Sequence, residues 1–155
     1  QLQLTHRSPK LEHYAEPVMG LLHTLLQQEH SANLREQTLE ATQPLGLRLP
    51  KLFEEADRQN WQDQEVIGPI FSPACYIEHS VPSVLYLLAK YENDAEQALI
   101  ANTEAGGDNC HRGAILGALL GAAGGTSVFP SRWIEQLHDR TTILEEIEHF
   151  IESVH

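Results

Sequence analysis

Residues 101–125 read ANTEAGGDNCHRGAILGALLGAAGG and set a paired glycine and one acid in front of a helix that repeats glycine every fourth residue. Glycine in a helix interior costs about 1 kcal/mol relative to alanine, so a regular series of them needs a reason. Gly113, Gly117 and Gly121 fall on one face, flanked by Ala114, Ala118 and Ala122. A strip this smooth lets another helix or a flat ligand approach the backbone, and close helix–helix packing is the simpler reading. Gly106 and Gly107 supply backbone angles that a side chain forbids, which suits a sharp turn between two helices. Asp108 then stands at the positive end of the second helix. There it serves either as the N-cap or as a carboxylate offered to a hard cation such as Mg²⁺.

Outward from this stretch the periodicity is helical nearly everywhere. Ser8 and Pro9 open a first helix with Leu11, Ala15, Val18, Leu21, Leu22, Leu25 and Leu26 on one stripe. A short polar helix from Asn33 to about Thr42 follows, then one opened by Pro50 and ending near Asn60. Gly68-Pro69 and Ser72-Pro73 mark an irregular connection, read as a loop rather than a domain boundary. An apolar helix begins at Ser80, with Pro82 in its first turn, and Asn93 with Glu96 has the form of a capping box for the helix leading to Glu104. Pro130 opens a short helix through Trp133 and Leu137. Thr142 with Glu145 caps a last one whose stripe is Ile143, Leu144, Ile147, Phe150 and Ile151. No strand alternation, internal repeat or low-complexity tract is visible. The expected fold class is all-α, with seven or eight helices.

The 155 residues suit about one domain, and the formal charge of −12 comes from 22 acids against 10 Lys and Arg. That balance excludes generic binding to nucleic acid or to anionic membranes, both of which need basic surface. The apolar run Gly113–Gly125 is too short to span a bilayer. Two cysteines make no disulfide framework, which points to a reducing compartment and a cytoplasmic location. The chain opens at Gln1, as a processed form or a fragment does.

Several side chains have two readings. Cys110, in the first turn of the glycine helix, reads as a small core cysteine, with a reactive thiol beside His111 as the sharper alternative. Arg112 reads as a solvated or ion-paired side chain, with a phosphate contact as the alternative. Cys75 and His79 have C-x₃-H spacing but no second pair to complete a zinc site. Trp133 reads as an anchor of its helix to the core, and Glu145, Glu146 and Glu148 as the solvated face of the last helix.

The run EAGGDNCHRGAILGALLGAAGG followed by FPSRWIEQL resembles the carboxyl-terminal signature of the ADP-ribosylglycohydrolase family. Members carry Gly-Gly-Asp-(Thr/Ser)-Asp-Thr, a helix rich in Gly and Ala, and an Ile-Pro-x-x-Trp-like segment, matched here by Phe129, Pro130, Ser131, Arg132 and Trp133. The preceding SVPSVLYLLAKYENDAEQALIANTEAGGD fits as well. The resemblance is specific from about residue 75 to 138 and loose over 8–60.

It implies an orthogonal multi-helix bundle, either a single all-helical domain over 1–155 or the carboxyl-terminal part of a larger one. It further implies a binuclear Mg²⁺ or Mn²⁺ site beneath an ADP-ribose cleft, and metal-assisted hydrolysis of the glycosidic bond of ADP-ribosylated substrates. Asp108 would be a metal ligand, and Gly106, Gly107, Asn109 and Gly113 would meet the substrate. Catalytic residues are left unassigned. Cys110 stands where the family has its second acid, His111 where it has threonine, and no Asp-Asp pair occurs anywhere in the chain. With about half the usual family length, the chain is expected to work with a missing amino-terminal half or as a homo-oligomer. The Gly-Gly-Asp-Asn form also resembles the jellyfish-crystallin branch, which makes a catalytically degenerate binding or structural role the alternative.

Overall fold

The computed structural model describes residue 4, residues 8–28 and residues 33–154, and the features below refer to these. The chain runs α1 (Pro9–Leu26), α2 (Leu34–Thr42), α3 (Leu49–Gln59), α4 (Asp63–Glu65), a π-helical segment (Val66–Phe71), α5 (Ile77–Lys90) and α6 (Ala95–Glu104). It continues through α7 (Asn109–Gly124), a 3₁₀ turn (Thr126–Val128), α8 (Ser131–Glu135) and α9 (Arg140–Val154). No strand occurs among the described residues, so the all-α expectation holds, with nine helices rather than seven or eight.

The fold is organised around α5. Every residue from Ser80 to Ala89 is buried, and a helix with no polar face has only the interior to occupy. Packed around it are α1, α2, α6, α7 and the π-helical segment. α1 brings Leu21 and Leu25, α2 brings Leu34, and α7 brings Leu116, Leu119 and Leu120.

Several boundaries differ from the sequence expectation. α5 begins at Ile77 rather than Ser80, so Pro82 lies past the first turn and withdraws one N–H from the helix ladder. The cap of α6 is Asp94, not Asn93: its carboxylate accepts the Gln97 N–H at 2.9 Å. The expected irregular connection at 68–73 divides: 68–71 belong to a π-helix over Val66–Phe71, and Ser72-Pro73 are irregular as expected. Pro69 lies inside the π-helix, and Val66 and Ile67 are pulled fully into the core. α9 starts at Arg140, directly after Asp139 in a left-handed conformation (φ 56°), which leaves Thr142 inside the helix. Its apolar stripe is uncovered, with Phe150 67% and Ile147 49% exposed. Trp133 is half-buried and stands outside the main core.

One polar knot lies inside this packing. The buried Asp63 carboxylate accepts hydrogen bonds from Tyr86 Oη (2.8 Å), Lys90 Nζ (2.6 Å) and Tyr91 Oη (2.5 Å). It ties the start of the 63–71 segment to the end of α5, and the Phe53 and Phe71 rings flank Tyr86. Burial, and then the hydrogen bond to Asp63 and its charge, push both tyrosine hydroxyls above their ordinary value of 10.0.

Asp63→Ala leaves a cation and two hydroxyls unsatisfied and is expected to cost about 3 kcal/mol in urea denaturation. The raised tyrosine values carry a definite sign. The unfolded chain gives up these protons near 10.0 and the folded chain does so later, so the stability they confer is complete below that pH and falls as pH rises through and beyond it. Tyr91→Phe should flatten that alkaline fall while lowering stability at neutral pH by about 1 kcal/mol.

Candidate active-site turn between α6 and α7

α6 ends at Glu104, and the chain reverses through Gly106 (φ 67°) and Gly107 (φ 62°) before α7 begins at Asn109. Both glycines use the left-handed region, as their pairing predicts. Gly107 is needed for a second reason. A Cβ there would come within 2.2 Å of the Pro73 carbonyl oxygen and 2.5 Å of the Pro73 Cβ, whereas one at Gly106 would meet open space. The approach of Pro73 is held by a backbone hydrogen bond, Asp108 N–H to Pro73 O at 3.0 Å. Residues 73 and 108 lie far apart in sequence, so the connection before α5 forms one wall of the turn.

Asp108 occupies the N-cap position of α7, but its side chain does not cap the helix. The carboxylate turns to His111, whose Nδ1 lies 2.7 Å from Oδ1 and 2.8 Å from Oδ2. This i,i+3 pair is open to solvent on the histidine side (81% exposed) and more enclosed on the aspartate side (21%).

Asn109 folds back on α6. Its amide donates to Thr103 O at 3.3 Å, and its own carbonyl accepts from Asn102 Nδ2 at 2.9 Å. Gly113 faces the same partner, since a Cβ there would lie 3.1 Å from Asn102 Nδ2. The expected substrate-contacting residues therefore divide. Gly106 and Gly107 form the turn that leads to Asp108, the expected metal ligand, while Asn109 and Gly113 join α7 to α6.

The glycine strip is not the buried face of α7. That face is Arg112, Leu116, Leu119, Leu120 and Ala123, roughly one residue (about 100°) around the helix from the glycines. Gly113 packs on α6, a Cβ at Gly117 would meet open space, and one at Gly121 would touch the Phe129 ring at 3.4 Å. Beside the strip runs an apolar groove of about 420 Å³ bordered by Val18 and Met19 of α1, Val81 of α5 and Ala118 of α7.

Two single-residue readings are corrected, those of Cys110 and Arg112. Cys110 is exposed, not a core cysteine, because it points away from the stripe of its helix; its thiol donates to the Asn109 Oδ1 at 3.5 Å. Cys75 is also exposed. Arg112 is neither solvated nor ion-paired to a carboxylate. Its guanidinium is fully buried and donates to Asn102, Gly106 and Pro73. Sequence reasoning missed it because a charged residue at that spacing reads as surface. The signal was its register with Leu116 and Leu119.

The donor set around Asp108 does not by itself suit Mg²⁺ or Mn²⁺. One carboxylate is present and is already engaged by an imidazole, the neighbouring thiol is a poor partner for a hard cation, and a buried guanidinium lies behind the turn. Among the described residues no three His, Cys, Asp or Glu side chains are grouped to hold a metal ion. No described helix is long and apolar enough to cross a membrane.

The two glycines should respond differently to the same change. Gly106→Ala meets no atom and pays only the left-handed backbone cost, about 1 kcal/mol. Gly107→Ala adds a collision with backbone and should lose at least about 3 kcal/mol in urea denaturation.

The architecture and the turn agree with the comparison to known families. The family model of the ADP-ribosylglycohydrolases matches residues 1–155, and no characterised protein or solved structure matches in parallel searches. An all-helical chain, a glycine-paired turn presenting Asp108, and a family match over the whole sequence converge: the chain belongs to the ADP-ribosylglycohydrolase family, with a hydrolase-like function in general.

Proposed function

We propose that the chain serves hydrolysis of the glycosidic bond in ADP-ribosylated substrates, with Asp108 as the acid it contributes to the site. The observation that carries this reading is the turn itself. Two left-handed glycines, one of them with no clearance to Pro73, present a single carboxylate at the amino end of α7. The positive end of a helix of this length favours an ionised acid and the phosphates of a nucleotide diphosphate alike.

A Mg²⁺ or Mn²⁺ ion bound near such a site would polarise the glycosidic bond and orient water. The oxygen donors such an ion needs beyond Asp108 would come from outside the described residues, from an amino-terminal half or from another copy. The role of this chain's own residues is narrower. Gly106 and Gly107 make the turn and the close approach to Pro73 that set Asp108 at the head of α7, and His111 holds its carboxylate.

A second reading, ADP-ribose binding without hydrolysis, is favoured by one specific arrangement. His111 engages both oxygens of Asp108, and a thiol occupies the place of the family's second acid.

Calorimetric titration with ADP-ribose, with and without MgCl₂, separates the two. The hydrolytic reading expects binding that depends on Mg²⁺ and weakens at least tenfold in Asp108→Asn. Binding indifferent to both changes would give the second reading, and no heat at millimolar ADP-ribose would overturn both. Replacement Cys110→Asp restores an oxygen donor two residues after Asp108 and should tighten Mg²⁺ binding about tenfold, near 1.4 kcal/mol. An unchanged Mg²⁺ affinity would mean that position 110 no longer faces the ion.

A further inference from the structure

We propose that Arg112 is the positioning residue of this site: its guanidinium, from inside the core, holds the Gly106–Gly107 turn against Pro73 and thereby sets where the Asp108 carboxylate stands. The inference rests on the reading that Asp108 is the group presented to ligand, but its structural half can be tested alone.

Arg112 is the largest fully buried side chain among the described residues and lies on the same stripe as Leu116 and Leu119. A leucine would continue that stripe without desolvating a charge, so packing does not account for an arginine there. Nor does an ion pair. All four of its hydrogen bonds end on neutral carbonyl oxygens: Nε to Asn102 Oδ1 (3.0 Å), Nη2 to Asn102 O (3.4 Å) and Gly106 O (2.5 Å), and Nη1 to Pro73 O (3.5 Å).

Asn102 O belongs to the last turn of α6 and Gly106 O to the turn just past it, where main-chain carbonyls lack helical partners and carry the negative end of the helix dipole. One cation, carried by the following helix, closes the carboxyl end of α6. A flat guanidinium fork reaches three segments in separate directions at once, which an ammonium on a flexible stem does not reproduce.

Pro73 O takes the Arg112 bond and also the Asp108 N–H at 3.0 Å, so the same oxygen fixes both the buried clamp and the residue presented at the surface. Ser72, just before it, holds a left-handed backbone (φ 73°) that a non-glycine residue keeps only where its surroundings impose it. Gly107 supplies the clearance, Pro73 the wall, and Arg112 the tie between them.

The test is amide hydrogen exchange read residue by residue, joined to the ADP-ribose titration. In Arg112→Lys the charge stays but the bridge does not. Exchange at Asp108 N–H should quicken at least tenfold while the amides of Leu85, Leu87 and Leu88 keep their protection. ADP-ribose binding in MgCl₂ should weaken about tenfold. Leu116→Ala, one turn along the same stripe, serves as the packing control and should not single out Asp108. Should Arg112→Lys fail to fold, Asn102→Ala removes the Oδ1 acceptor of Arg112 together with the Nδ2 bond to Asn109 O and should quicken Asp108 exchange about threefold. Unchanged Asp108 exchange in the folded variants, or acceleration of all amides alike, would overturn the proposal. If the unmodified protein shows no ADP-ribose binding, the functional reading fails while the exchange data still decide the role of Arg112.

Discussion

A helix without a polar face leaves a folding chain only one arrangement: the other elements must cover it on every side. Ser80–Ala89 of α5 is such a helix, and most of the architecture follows from enclosing it. α1, α2, α6 and α7 each turn their buried face to it, and the π-helical segment fills the remaining side with Val66 and Ile67. The Asp63–Tyr86–Tyr91–Lys90 knot fixes the register of that last side. Its hydrogen bonds are the kind that specify one arrangement among many apolar ones.

The candidate site is a consequence of the same enclosure. The connection into α5 passes through Pro73, and α7 must lie along α5, so the chain before α5 and the turn before α7 are forced together. Contact at zero clearance then demands glycine at position 107, and the carbonyls freed at the end of α6 demand a donor. Arg112 supplies it. The fold and the site therefore share residues: Gly107 and Arg112 belong both to the packing of the turn and to the presentation of Asp108.

Much of this was legible in the sequence. The helical periodicity, the turn at Gly106–Gly107, the position of Asp108 at the head of α7 and the family resemblance all come from residues close together in the chain. Local chemistry governs them: glycine admits left-handed angles, Pro9 opens a helix, and an acid favours a helix amino end. Where local rules compete, the reading slipped. Asn93 and Asp94 are both good caps and the structure uses the second. Pro69 reads as a helix breaker, yet a π-helical turn carries it because Val66 and Ile67 gain burial there.

What the sequence determined by itself, then, is the helical class, the turn and the family. Tertiary structure alone decided that Arg112 is buried, that Cys110 is exposed, that the Asp108 carboxylate is held by His111 instead of capping its helix, and that the apolar stripe of α9 is uncovered. The physical reason is common to the burial results. Exposure depends on which segment arrives alongside, and Pro73 reaches Asp108 and Arg112 across more than thirty residues of chain. A pattern within one helix shows which residues share a face, and only the neighbouring segments decide whether that face meets core, carbonyl or water.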